Sequence, residues 1–124
     1  MQSHINAKDE GAELYEAALK KFAEADFEIQ ITELDVTCTG KVTDTTDAET
    51  KEQVWAANAE MYSALMKAIL RQKAAGANIT SVTVWGTTDA SSWRPDYAPL
   101  LFGANLADKK PSFDAFINAT ENFS

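Results

Sequence analysis

Two β-branched runs, residues 27–36 (FEIQITELDV) and 79–85 (ITSVTVW), each follow a helical segment and precede a long polar loop. That order admits few architectures. Over residues 9–25 apolar side chains recur at helical spacing, with Leu14, Ala18 and Phe22 in one stripe and Tyr15 and Leu19 widening it. A second helix is predicted from about Ala48, where Thr46 and Glu49 have capping-box spacing, to about Ala75. Gly76 then supplies a left-handed C-terminal residue. The predicted buried stripe is Val54, Met61, Leu65 and Ile69, flanked by Trp55, Tyr62, Met66 and Leu70. Pro111 suits the first position of a closing helix that runs to about Asn118. Strands alternating with helices build parallel β/α units with right-handed crossovers. Helix-to-strand links are short here, and strand-to-helix loops are long and chemically varied. A β/α barrel with its site at the strand C-termini shows that asymmetry. A flavodoxin-like open sheet shares the alternation, and two strands close neither. The expectation is an α/β chain that forms part of a larger fold.

A length of 124 residues gives one domain with a modest core. The net charge of −8 leaves no cluster of cations for nucleic-acid phosphates and no attraction to an anionic membrane surface. With Cys38 as the sole cysteine, neither an internal disulfide nor a thiolate metal site can form. No apolar run reaches membrane-spanning length, and the opening MQSHINAKDE lacks the basic and apolar regions of a signal peptide. Asn-x-Ser/Thr triplets begin at Asn78, Asn118 and Asn122, a pattern common by chance.

The chemistry gathers in the first run. Phe27, Ile29 and Ile31 occupy one face at a period of two, and the same count carries that face on to Glu33 and Asp35. Carboxylates on an apolar face incur a desolvation cost. They are either a solvated pair beyond the buried segment, or a nucleophile or base with a supporting acid. Two carboxylates on one strand approach a ligand from one side. The two catalytic carboxyls of a retaining glycosidase, roughly 5–5.5 Å apart, flank the scissile bond. His4, the lone histidine, ends a short extended stretch before the first helix, the kind of position Glu33 holds. Alone it reads as a surface or capping residue, but an imidazole beside a carboxylate can orient it and favour its ionised form. One histidine and two carboxylates are too loose a set to specify a metal. Trp55 reads as a packing residue. Trp85 and Trp93 fall on the predicted rim of the site, where an indole face can stack on a sugar ring and its N–H donate to a hydroxyl. An acidic, tryptophan-lined rim suits a neutral polyol better than a phosphate.

The order MQSHI, IQITELDV, VTVWGTTDASSWRPDYAPLLF, KKPSFDAF resembles the C-terminal portion of glycoside hydrolase family 10, the endo-1,4-β-xylanases. The resemblance covers essentially the whole chain and implies an incomplete (β/α)₈ TIM barrel, from about the end of strand six through helix eight. It implies hydrolysis of internal β-1,4 bonds of xylan with retention, through a covalent glycosyl-enzyme intermediate and without a cofactor. Carried over by position, Glu33 matches the nucleophile, His4 the histidine that orients it, and Asp35 the carboxylate that supports His4. Gln2, Trp85 and Trp93 match substrate-binding residues. The family's acid/base glutamate stands in an Asn-Glu pair at the end of strand four, and this sequence contains no Asn-Glu pair. The implied partners are xylan or a xylo-oligosaccharide, together with the missing N-terminal part of the barrel or another copy of the chain. Neither nucleic acid nor a membrane is expected. The alternative is a non-catalytic xylan-binding remnant of a truncated barrel. The family setting implies secretion.

Overall fold

The computed structural model describes residues 1–8 and 11–124. Its elements are strand β1 (Gln2–Asn6), helix α1 (Gly11–Glu24), strand β2 (Ile29–Thr37), helix α2 (Ala48–Ala74), strand β3 (Ile79–Val84) and helix α3 (Pro111–Asn118). The strands form one parallel sheet in the order β1-β2-β3. The stretch MQSHI is therefore a paired strand, and the outer edges of β1 and β3 have no strand partner among the described residues. The result is a small parallel α/β unit with no closed barrel. The expected helix start at Asp9 lies outside the described residues.

The core lies between one face of the sheet and the helices. Ile29, Ile31, Leu34 and Val36 of β2 meet Tyr15 and Leu19 of α1 and Tyr62, Leu65 and Ile69 of α2. That set of β2 residues corrects the expected continuation of the apolar face. Between Ile31 and Leu34 the register against β3 slips, because Ile31 pairs with Val82 and Leu34 with Val84, three residues against two. One extra residue turns the odd-numbered face into the even-numbered one. Upstream, Ile29 and Ile31 face the core. Downstream, Leu34 and Val36 do so. Glu33 and Asp35 thus point away from the helices, although Asp35 is fully buried there. Phe27 precedes the strand and is exposed.

The helices depart from their predicted stripes in similar ways. In α1, Tyr15 and Leu19 are buried while Leu14 and Phe22 are exposed, because α1 packs between β2 and α2 through that flank only. The Tyr15 hydroxyl, 2.8 Å from Ser3 Oγ, ties α1 to β1. In α2 the buried face centres on Asn58, Tyr62, Leu65 and Ile69, with Val54 and Met61 only partly buried. The Asn58 amide donates to the Val36 carbonyl, while its buried Oδ1 accepts nothing from the described residues. The α2 N-cap is Asp47, whose carboxylate accepts from Thr50 N and Thr50 Oγ1, both at 2.8 Å. Thr46 instead accepts from Thr43 N within the preceding turn. A carboxylate at the positive end of a helix is the stronger cap. Gly76, at φ +107°, stops the helix as expected, and α3 begins at Pro111 as expected.

Candidate active site

β1 and β2 run parallel with Gln2 opposite Glu33 and His4 opposite Asp35, so these side chains share the face away from the helices. His4 Nδ1 lies 3.0 Å from Asp35 Oδ2, and His4 Nε2 lies 3.8 Å from Glu33 Oε1. Asp35 is fully buried, whereas the His4 and Glu33 side chains keep 29% and 16% of their surface. The imidazole thus bridges a buried carboxylate and a partly open one. With Nδ1 turned to Asp35, Nε2 is directed towards Glu33. In the imidazolium form both nitrogens donate, and the second proton points to the Glu33 carboxylate. Glu33 and His4 are the central residues of β2 and β1 rather than strand-end residues as expected. Glu33 accepts no hydrogen bond from the described side chains, so its oxygens stay available.

The loop between β3 and α3 supplies the rim. Trp93 Nε1–H donates to Asp35 Oδ2 at 2.6 Å, and its ring stands edge-on to His4 with centroids 5.2 Å apart. The indole N–H expected to meet a ligand hydroxyl is used inside the protein. Trp85 directly follows β3, its backbone N–H donates to the Leu34 carbonyl, and its ring is half-exposed. Gln2 is exposed and makes no side-chain hydrogen bond among the described residues. The structure thus gathers His4, Glu33, Asp35 and Trp93 into one cluster, while Gln2 and Trp85 occupy its border. No group of three or more His, Cys, Asp or Glu side chains among the described residues is placed to hold a metal ion.

A buried ion pair anchors this loop, and the sequence reading missed it. Lys110 Nζ lies 2.9 Å from Asp89 Oδ2 in an ion pair and donates to the carbonyls of Ala98 and Leu100 at 2.8 and 2.7 Å. Asp89 Oδ1 accepts the Leu100 N–H at 2.7 Å. Burial lowers the Lys110 pKa and raises that of Asp89, each partly opposed by the other's charge. Both residues fall inside quoted motifs, but nothing in their spacing separates a buried lysine from a solvated one. Ala98 takes the left-handed conformation, φ 42°, and its carbonyl also accepts from Cys38 Sγ. Gly86, at φ 129°, opens the loop where an added Cβ would meet Leu100 Cδ1 at 2.8 Å.

Cys38 gives a simple check on this packing. It is fully buried, and desolvation pushes its pKa up to about 11. In the folded chain at pH 8 it is expected to resist an aromatic disulfide reagent and to release one equivalent of thiol on unfolding. Rapid stoichiometric reaction without denaturant would contradict the burial.

A parallel β/α unit whose sheet turns carboxylates and an imidazole to the face away from its helices has the layout of a β/α-barrel interior. Comparison with known proteins makes this specific. The model of Glycosyl hydrolase family 10 matches residues 1–119, and the chain belongs to that family. Over 114 residues, 92% of this chain, it is 40% identical to the bifunctional endo-1,4-beta-xylanase XylA of Ruminococcus flavefaciens. Over 124 residues, 99% of this chain, it is 36% identical to endo-1,4-beta-xylanase A of Butyrivibrio fibrisolvens. It spans 10% and 26% of those two proteins. Among solved structures, the Clostridium thermocellum xylanase Xyn10B, complexed with xylohexaose, superposes with TM-score 0.75 at 34% identity. That match covers 97% of this chain and 22% of Xyn10B. A xylanase of Thermoanaerobacterium saccharolyticum, described as intracellular and complexed with xylotetraose, gives TM-score 0.74 at 31% identity. That match covers 94% of this chain and 32% of the other. No helix among the described residues is long and apolar enough to cross a membrane.

Proposed function

We propose that this chain is the nucleophile-bearing part of a retaining endo-1,4-β-xylanase. It runs from the end of strand six (β1) through helix eight (α3), as a partial domain of the catalytic barrel. The observation that carries the reading is the His4 bridge, 3.0 Å from buried Asp35 and 3.8 Å from part-exposed Glu33. A carboxylate with open oxygens, held beside an imidazole, offers the electron pair that a nucleophile needs. Glu33 attacks the anomeric carbon of a xylosyl unit. A C–O bond to Glu33 forms as the glycosidic C–O bond breaks, and the departing oxygen takes a proton from a general acid. Water then attacks the same carbon, the ester to Glu33 breaks, and configuration is retained over the two displacements. Asp35 holds the His4 ring and its charge, and does not itself touch the sugar. Trp85 and Trp93 keep about half of their surface open at the border for a xylosyl unit to meet, and Gln2 extends the polar edge beside Glu33.

General acid–base assistance typically contributes ~10²–10⁴-fold, and the family's Asn-Glu pair does not occur in this sequence. The open edges of β1 and β3 fit further parallel β/α units, supplied by the rest of the barrel or by association of copies. The chain by itself is expected to release negligible reducing sugar from xylan. Mixing it with a segment of a family member that holds strands one to six and the Asn-Glu pair is expected to restore hydrolysis. Turnover by the chain alone at the rate of an intact family member would overturn this division of labour. The half-exposed tryptophans favour a second reading, a xylan-binding remnant. That reading predicts xylan binding by the mixed segments without hydrolysis.

A further inference from the structure

Trp93 is half-exposed, yet its polar edge turns inward. Its Nε1–H and His4 Nδ1 converge on a single oxygen, Asp35 Oδ2, at 2.6 and 3.0 Å. The carboxylate has no solvent exposure, and its other oxygen accepts nothing from the described residues. A ring that served only as a stacking platform would need an open face and would gain nothing from this bond. The loop around it is built to hold the indole still. Asp89 and Lys110 pin the segment on both sides of Trp93, and the Arg94 guanidinium lies over the rings of Trp93 and Tyr97, 5.5 and 4.4 Å from their centroids.

We propose that Trp93 is a positioning residue whose N–H fixes the Asp35 carboxylate and, through it, the angle at which His4 faces Glu33. A carboxylate with one donor can swing about its last bond and trade oxygens. Two donors on one oxygen set both its plane and the ring that shares it. His4 then has one favourable orientation, Nδ1 to Asp35 and Nε2 towards Glu33. The charged groups around the ring are Glu33 and Asp35 from β2, with Arg94 beyond the indole. The catalytic consequence rests on Glu33 being the nucleophile. The coupling of Trp93 to His4 does not.

His4 is the sole histidine, so nuclear magnetic resonance of the 15N-labelled chain reads a single imidazole. Trp93→Phe keeps a ring and removes the donor, and Trp85→Phe removes an indole from the same rim without touching Asp35. A hydrogen bond to a charged group contributes ~1.5–3 kcal/mol. Solvent exchange of the His4 Nδ1 proton is therefore expected to accelerate about tenfold or more in Trp93→Phe. It should keep its rate in Trp85→Phe, and the Leu34 and Val36 amides should keep theirs in both variants. In the unmodified chain, the Trp93 indole proton is expected to exchange more slowly than that of Trp85. An unchanged His4 rate in Trp93→Phe, or equal acceleration in the two variants, would overturn the proposal. So would equal acceleration at the Leu34 and Val36 amides, which marks general loosening. If Glu33 proves not to be a nucleophile, the His4 response still stands or falls by itself.

Discussion

Replacing Lys110 with methionine is expected to destabilise the chain by about 3–5 kcal/mol, the usual cost of removing one partner from a buried ion pair. Methionine preserves the length and apolar stem of the side chain. It removes the ammonium that pairs with the Asp89 carboxylate and donates to the Ala98 and Leu100 carbonyls. The Asp89 carboxylate would then keep only the Leu100 N–H in a site where burial already raises its pKa. It must either take up a proton or draw in water. Replacing Asp89 by leucine in the same molecule removes the stranded charge, so the double variant is expected to lose less than the single one. Urea unfolding followed by circular dichroism measures both. A loss below about 1 kcal/mol for Lys110→Met would show that this pair is not buried as described.

The second large effect concerns Glu33. In a barrel completed by strands one to six of a relative, Glu33→Gln is expected to reduce xylan hydrolysis by about 10⁴-fold or more, the scale seen when a covalent nucleophile is removed. The amide is nearly isosteric, so the strand keeps its shape. It cannot supply the electron pair that forms the ester bond to the sugar. Binding of xylo-oligosaccharide is expected to survive, because ring stacking and the border groups are untouched. A variant that retained a tenth of the activity would leave Glu33 as a spectator.

Much of this architecture was legible in the sequence because it rests on local periodicity and capping. The long helix, its glycine stop at Gly76, the strand beginning at Ile79 and the proline start of α3 all follow from short-range rules. The extra residue between Ile31 and Leu34 did not show. A period-of-two count runs across it unbroken, and only pairing with β3 reveals the slip. The placement of Glu33 and Asp35 beside His4 came from resemblance and matches the cross-strand register, although spacing alone offered a solvated pair equally well. The Trp93–Asp35 bond joins residues 58 positions apart, and the Asp89–Lys110 pair is equally a product of tertiary folding. Leu14 and Phe22 read as core because their spacing is helical. Spacing gives a face but does not say what packs against it, and here α2 covers the flank of Tyr15 and Leu19 instead.

The most direct measurement is covalent trapping. A 2-fluoro-xylobioside with a good leaving group needs little help from a general acid and stalls after the first displacement, so it marks whichever carboxylate attacks the anomeric carbon. When the completed barrel is digested after exposure to it, one fluoro-xylobiosyl mass increment is expected on the peptide holding Glu33, absent from Glu33→Gln. A completed barrel that binds xylo-oligosaccharides yet carries the increment on another residue, or nowhere, would contradict Glu33 as the nucleophile.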